Sequence, residues 1–266
     1  MQTRYRLMTF FLIFITLTGM FYALEYGTNI RIYLKRIAQG RSSDNCTKAP
    51  IYPDFGTTLP RNYTIHGIDV SHFQDQIFWD KVEQMQVGDH QIYFVFMRAT
   101  MGDDRADDNF KRNWIAAQKQ KLICGAYHFF DPSENATEQA DNFLNTVKLK
   151  KGNLPPVLDI ETTENYGSTY LRKQAKIWLD KVEKTTGVQP IIYTNLRYYN
   201  KHLKGYFDEY PLWIAHYYEA ELQLHDDEHW HFWQHTDRGS VNGICGDVDM
   251  DVFNGTLPHL KKMCIP

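Results

Sequence analysis

The sequence predicts an α/β fold, a TIM-like barrel of (β/α)5(β)3 type, formed by a single domain that follows an N-terminal hydrophobic segment. Three observations predict it. Short apolar segments alternate five times with stretches of helical periodicity. Three further apolar segments follow without a convincing helix between them. Polar and acidic residues gather where the apolar segments end. Repeated strand–helix alternation requires a parallel sheet, because each crossover returns the chain in the same direction. Eight such strands can close into a barrel filled by its own side chains.

The elements follow in order. Residues 65–71 read as the first strand, with a helix-like stretch at 78–85. The second strand is 92–98, and Phe110, Trp114, Ala117 and Gln118 then recur at helical spacing within 107–121. The third strand is 122–130, followed by a helix over 134–147. The fourth strand is 156–161. The clearest helix, 168–186, carries Leu171, Ala175, Trp178, Leu179 and Val182 on one stripe. The fifth strand is 190–194, with a shorter helix after it; strands at 212–216, 231–234 and 248–253 complete the set.

Composition sets limits. The chain has 266 residues, of which 43% are hydrophobic and 23% charged, with 16 Gly and 10 Pro, so collagen-like and wholly disordered readings are excluded. The net charge of −3 gives no basic field for phosphate contacts, and no nucleic-acid partner is expected. Aromatic residues are 15%, which suits either a carbohydrate cleft or simply an aromatic core.

Residues 1–30 read as a signal peptide or membrane anchor. Arg4 and Arg6 precede an uncharged apolar stretch over 7–24, about long enough to cross a bilayer. No good small-x-small cleavage site ends it, which favours an anchor. Arg31, Lys35, Arg36 and Arg41 after the span would hold the C-terminal part in the cytoplasm by charge bias. The chemistry below argues for export, and export is the reading adopted: either membrane-anchored with the domain in the periplasm or outside the cell, or secreted after cleavage. Residues 31–62 read as a linker, and 63–266 as the folded domain. Cys124 is expected as a buried thiol, and two of Cys46, Cys245 and Cys264 could pair.

In barrels of this kind the chemistry sits at the C-terminal ends of the strands. There the sequence places Asp69 and Ser71, Arg98, Tyr127 and His128, Asp159 and Glu161, Tyr193 and Asn195, and Gln234; the last strand carries Asp247, Asp249 and Asp251. Asp159 and Glu161 are two apart on a strand, so both carboxyls face the barrel axis with alpha carbons roughly 6.5 Å apart. Two carboxylates so close repel, which raises one pKa and divides proton donor from anion, as glycoside hydrolysis requires. An internal ion-pair network with Arg98 or a histidine would use the same spacing.

At these residues the sequence resembles the family 25 glycoside hydrolases, the muramidases often called Chalaropsis-type lysozymes. The resemblance runs over 66–255 through GIDVSHFQ, FVFMRATMG, CGAYHFF, LPPVLDIE, IIYTN, PLWIAHY and WQHTDRGSVNGICGDVDMDVF, seven pieces in order. It implies a five-plus-three barrel and cleavage of the β-1,4 bond between N-acetylmuramic acid and N-acetylglucosamine in peptidoglycan. Glu161 matches the general acid, Asp159 its partner carboxylate, and Asp69 and Asp249 the acidic residues of the first and last strands. Tyr193 matches a tyrosine that helps hold the reacting N-acetyl group. Tyr127, Arg98, Gln234 and Trp213 are further substrate-binding candidates. The implied mechanism is retaining, either substrate-assisted through the 2-acetamido oxygen or covalent through a carboxylate such as Asp69. No cofactor and no metal are expected, the partners are glycan strands and, through the N-terminal segment, a membrane, and nothing bears on oligomeric state.

Departures and alternatives remain in the sequence. Met101 stands where the family usually has Glu, and Arg105 where a tyrosine often follows. His225, His229, His231 and His235 resemble a metal cluster but fall in a polar loop and on strand flanks, where solvated and wall histidines are the simpler reading. Chitinases share the DIE ending, but Gly152 and Pro155 occupy their earlier acidic positions. Phe73, Trp79, Trp213, Trp230 and Trp233 could stack on sugars or fill the core. A carbohydrate-binding relic and a tethered scaffold are the non-hydrolase readings.

Overall fold

Ten strands form the sheet in the computed structural model, which describes residues 48–163, 166–224 and 229–266. They are β1 (His66–Val70), β2 (Gln86–Val87), β3 (His90–Met101), β4 (Arg105–Ala106), β5 (Ile123–Phe129), β6 (Val157–Asp159), β7 (Ile191–Asn195), β8 (Leu212–Ala215), β9 (Phe232–Gly239) and β10 (Val248–Phe253). Eight of them close on themselves in the order β1-β10-β9-β8-β7-β6-β5-β3, with β3 pairing back to β1. The short β2 and β4 are hairpin partners of β3. The described residues belong to one unit, Asn45–Pro266. The expected span at 7–24 and the first part of the expected linker lie outside the described residues. Among those described, no helix is long and apolar enough to cross a membrane.

Seven barrel strands run parallel, as strand–helix alternation demands, and β10 runs antiparallel to both its neighbours. With no helix between β9 and β10, the chain simply doubles back. The consequence is positional: the mouth of the barrel receives the start of β10 rather than its end.

Two apolar layers follow from strand alternation. Inside the barrel, Phe94, Phe96, Val157, Ile191, Trp213, Phe232 and Phe253 pack together. Phe96 stacks on Trp213 with centroids 4.4 Å apart, and Phe232 meets both Phe94 and Phe96 edge-on at 5.2 and 5.1 Å. Four large rings fit because two strands give way. A Cβ on Gly67 would lie 2.3 Å from the Phe94 ring, and one on Gly125 would lie 2.4 Å from the Phe96 ring.

Outside the barrel, Ile68, Val95, Met97, Cys124, Leu158, Ile160, Ile192 and Ile214 face the helices. These are α1 (Trp79–Gln84), α2 (Phe110–Lys119), α3 (Ala136–Thr146), α4 (Ser168–Thr186) and the short α5 (Leu196–Tyr198), which continues as a π turn over Tyr199–Leu203. The predicted stripe of α4 is wholly buried. Gly187 ends that helix at φ 72°, a left-handed conformation glycine adopts freely, with its N–H on Glu183 O at 2.8 Å.

The helix-free wall is covered differently. Residues 48–62, the end of the stretch expected as linker, lie against it. Phe55 is buried, Ser240 N–H donates to Phe55 O at 2.8 Å, and Gly243 N–H donates to Pro50 O at 2.9 Å. Composition suggested a linker because the segment is rich in Pro and small polar residues. Two aromatic anchors, Tyr52 and Phe55, dock it, and Tyr63 packs immediately after its end. A C-terminal helix, α6 (Leu257–Met263), places Leu260 in the inner cluster with Ile65 and Phe253, at the end of the barrel opposite the mouth. Cys245 is disulfide-bonded, while Cys124 and Cys264 are free thiols; Cys46 lies outside the described residues.

Candidate active site

Register brings the predicted residues to one mouth. Asp69 faces Asp249 across the antiparallel β1–β10 pair, and Asp159 lies beside Tyr193 across β6–β7. The β6 backbone stays extended beyond its last paired residue. Ile160 N–H donates to Tyr193 O at 2.9 Å, and Thr194 Oγ1 donates to Ile160 O at 2.6 Å. Ile160 is thereby fixed in the outer layer, and Glu161, half-buried, follows at the rim.

Tyr193 is the point on which the site converges. Burial, followed by the charges of Tyr217, Glu161, Asp159 and Asp69, holds its hydroxyl well above the usual tyrosine range. It is therefore a neutral donor at every working pH. It donates to Gln234 Oε1 at 2.8 Å, and Tyr217 donates to the same oxygen at 2.7 Å. The Gln234 amide then turns its Nε2 toward Asp69 Oδ2. Tyr127 is raised in the same manner: burial acts first, Arg98 opposes, and Asp69, Asp159 and Asp107 reinforce. Tyr198 carries a raised pKa from burial and from Glu161, and its hydroxyl ties Thr162 O at 2.9 Å, anchoring the loop that follows Glu161.

A second web holds the rim above β1 and β3. Asp107 accepts from His72 N–H at 2.9 Å, from Arg98 Nε at 3.1 Å and from Asn109 N–H at 3.0 Å. Burial pushes its carboxyl up, but these bonds and the Arg98 charge outweigh burial and hold it below the usual range. Ser71 and Gln74 form a reciprocal capping box around the single 3-10 turn His72–Gln74. This turn presents Phe73, 40% exposed, with the His72 ring 4.1 Å away and the Arg98 guanidinium 5.4 Å from its centroid. Arg98, one of the predicted binding residues, is thus a support for the rim.

Trp213 lies lower. It is 1% exposed, stacked on Phe96, and its Nε1 donates to Asp251 Oδ1 at 2.8 Å. It forms the floor beneath Tyr193, whose ring it meets at 4.4 Å. Asp251 is fully buried, and its carboxyl is pushed well up by burial and then by Asp249. Arg105 points away from the mouth to Glu134 at 2.8 Å and Asp131 at 3.6 Å, and Glu134 also accepts from Asp103 N–H at 2.7 Å. The departure from the family pattern at this loop is therefore stapled to the β5–α3 connection.

Sequence reading missed Tyr217 and Tyr198 as members of the site. Tyr217 was within reach: it continues the inward alternation of Trp213 and Ala215 past the end of β8. Among the described residues, no group of three or more His, Cys, Asp or Glu is placed to hold an ion. His225 lies outside them.

A closed barrel with a carboxylate mouth walled by tyrosines defines a barrel glycosidase. The chain belongs to glycosyl hydrolases family 25, whose family model matches residues 68–244, and it is a glycoside hydrolase. It is 46% identical over 207 residues to the Escherichia coli K12 protein YegX, covering 78% of this chain and 76% of that one. It is 33% identical over 226 residues to Lysozyme M1 of Streptomyces globisporus, covering 79% and 75%. Among solved structures, the family 25 glycosyl hydrolase of Bacillus anthracis superposes with a TM-score of 0.70 at 27% identity, covering 81% of this chain and 100% of that one. The Streptomyces coelicolor bacterial lysozyme gives 0.70 at 30%, covering 76% and 98%.

Proposed function

We propose that the protein is a peptidoglycan muramidase that cleaves the β-1,4 bond between N-acetylmuramic acid and N-acetylglucosamine. The observation that carries this reading is the family 25 barrel whose mouth sets Asp159 beside Tyr193 and Asp69 beside Asp249, with Glu161 following Ile160 at the rim. Glu161 protonates the glycosidic oxygen and later deprotonates water. The 2-acetamido oxygen of the muramic residue attacks its own anomeric carbon, and Asp159 orients that amide and stabilises the developing charge. Tyr193 and Gln234 line the side of the acetamido group, and Asp249 supports Asp69. The substrate-assisted route is preferred over a covalent one through Asp69, because the Gln234 amide hydrogen bond occupies Oδ2 of that buried carboxylate.

Export completes the reading, with residues 1–30 as signal peptide or anchor. The disulfide at Cys245 supports it, since such bonds persist in oxidising compartments. The test is mass spectrometry of soluble products from purified peptidoglycan after borohydride reduction. Reduced N-acetylmuramic ends are expected. Reduced N-acetylglucosamine ends would assign the wrong bond.

A further inference from the structure

Past the end of β8 the pairing with β9 slips by one residue. Ala215 pairs with Gln234, and His216 N–H donates to Gln234 O at 3.0 Å. In the same register Tyr218 N–H would meet Thr236 O, but it donates to His235 O at 2.9 Å. Two residues of one chain thus advance against one of the other, the geometry of a β-bulge, a device that re-aims side chains beside active sites. The slip is taken up at Tyr218, whose φ is 63°. Among the described residues only Asp75, Lys121 and Tyr218 combine a side chain with a positive φ, and Tyr218 alone of these is aromatic. That region suits glycine and is least favourable for a bulky side chain.

The bulge brings a second ring to the mouth. Tyr217 reaches Gln234, as described above. Regular alternation would turn the next residue toward the outer layer. The Tyr218 hydroxyl donates instead to Asp237 Oδ1, near the end of β9. Asp247, just before β10 and therefore at the mouth, also acts on that hydroxyl. Asp237 lies three residues beyond Gln234 on β9, about 10 Å along a strand. The ring therefore stands outward of the acetamido side of the cleft. We propose that Tyr218 is a stacking platform for the sugar of the glycan strand adjacent to the one that reacts. The proposal rests on the muramidase reading and extends it one sugar along the strand.

The ring is exposed and yet fixed. It is 58% exposed. The Arg238 guanidinium lies over it at 5.3 Å from the centroid, and Arg238 Nε is 3.7 Å from the same Asp237 oxygen that the hydroxyl meets. Burial first, then Asp237, raise the hydroxyl to about 12, so it stays a neutral donor. A ring already held at its backbone, its face and its hydroxyl loses little freedom on binding. The C–H groups of a pyranose face pack on the electron-rich face of an aromatic ring. Asp237 and Arg238, both half-exposed at its edge, offer an acceptor and a donor to the sugar's hydroxyl and amide groups. So exposed a ring gains little from packing, and packing does not account for a tyrosine at this φ; a use for the exposed face does.

Tyr218→Asn separates these readings, because asparagine tolerates the left-handed region and removes the ring. Tyr218→Phe keeps the face and drops the tie to Asp237. Steady-state kinetics use glycan strands with intact peptide stems and the same strands stripped of stems by an amidase. For Tyr218→Asn, KM should rise roughly 3- to 10-fold on both substrates with kcat within about twofold, the pattern of lost uniform binding. Its melting temperature should equal or exceed that of wild type, since the strained φ is relieved. Tyr218→Phe should keep KM within about twofold of wild type. An unchanged KM for Tyr218→Asn would overturn the proposal. So would a fall in kcat at constant KM, which would place the ring at the reacting sugar. A KM rise confined to stem-bearing strands would make the peptide the occupant, again overturning it. A KM rise shared by Tyr218→Phe, with a lowered melting temperature, would trace the effect to the tie with Asp237 and count against the platform. Wild-type protein that releases no N-acetylmuramic ends from either substrate would sink the muramidase reading and this proposal with it, an outcome told apart by its appearance before any substitution is made.

Discussion

Gln234 and Asp69 are joined by a hydrogen bond whose direction two tyrosines impose. Oε1 of Gln234 accepts from both Tyr193 and Tyr217, so its Nε2 is left to donate to Asp69 Oδ2. An amide N–H donates and a carboxylate oxygen accepts, so the tyrosines fix which end of the Gln234 amide meets Asp69. The side chain of Gln234 thereby couples the hydroxyl that faces the proposed acetamido site to the carboxylate of β1.

Gln234→Glu keeps the shape and reverses that logic. It sets a second carboxyl against buried Asp69, and two such groups cannot both ionise. The pair then takes up a proton at higher pH than Asp69 does in the wild type. The acid limb of the pH–rate profile should move up, and kcat should fall about 10- to 100-fold. Gln234→Leu removes the acceptor of both tyrosine hydroxyls and the donor to Asp69, and should cost about 2–4 kcal/mol of stability by thermal denaturation. An unchanged profile for Gln234→Glu would show that Asp69 plays no part in the reaction.

Glu161→Gln should abolish turnover while leaving the fold intact. General acid–base groups contribute typically ~10²–10⁴ in rate, so released reducing ends should fall by at least that range. The side chain is half-buried at the rim rather than packed in either core, so the melting temperature should stay near wild type. Activity comparable to wild type would remove Glu161 from the role of acid.

Phe73→Ala probes the rim. The ring is exposed, yet the capping box, Asp107 and Arg98 all hold the turn that presents it. Such investment in an exposed apolar ring fits a platform for a sugar face. Stability should change by no more than about 0.5 kcal/mol, because little area is buried. KM for glycan strands should rise roughly 3- to 10-fold at constant kcat. A large loss of stability with unchanged KM would make the ring structural.

Acid should unfold the protein from its histidines first. His66 and His128 are lowered to about 4 and His235 to about 3, in each case by burial first. His128 sits between Thr100 Oγ1 at 2.7 Å and Gln139 Oε1 at 3.0 Å, stacked on Trp178. These groups bind fewer protons folded than unfolded. Their contribution is therefore complete above the unfolded pKa near 6.5, and falls as pH drops toward 4. Each removes on the order of 1.4 kcal/mol per pH unit in that window. Thermal melts should show stability dropping steeply between about pH 6.5 and 4; a flat curve there would contradict the burial of all three.

Legibility in the sequence followed the physics of periodicity. The α4 stripe spans 168–186 in both reading and structure, because five buried residues at helical spacing leave one solution. All eight barrel strands were placed, since each is an apolar run bounded by turn residues. Direction was not legible. Alternation puts Asp249 and Asp251 on one face but does not reveal that β10 runs backwards, which lifts Asp249 to the mouth beside Asp69 and sinks Asp251 to the level of Gly67 and Gln234. Depth was hidden in the same way for Trp213, which an exposed cleft and a barrel floor would use at identical spacing. The His72–Asp107–Arg98 web spans two separate connections, and only the closed barrel brings them together.

Asp251 is the sharpest case of a carboxyl that works without charge. It is fully buried, its Oδ1 accepts from Trp213 Nε1, its Oδ2 has no hydrogen-bond partner, and burial and Asp249 hold its pKa well above the usual range. A carboxyl kept protonated in the fold ionises freely once unfolded. Its effect on stability is therefore opposite in sign to that of the histidines: it costs nothing below the unfolded pKa near 3.8 and costs progressively more as pH rises above it. Asp251→Asn preserves the acceptor to Trp213 and removes this penalty. The variant should be at least as stable as wild type at pH 7, with the advantage shrinking toward pH 4, and its activity should be unchanged because Asp249 and Asp69 keep the mouth. Melts across that range read the outcome directly. A variant destabilised equally at both ends would mean that the carboxyl is ionised where it lies, and that Asp249 and Asp251 share their charge beneath the mouth.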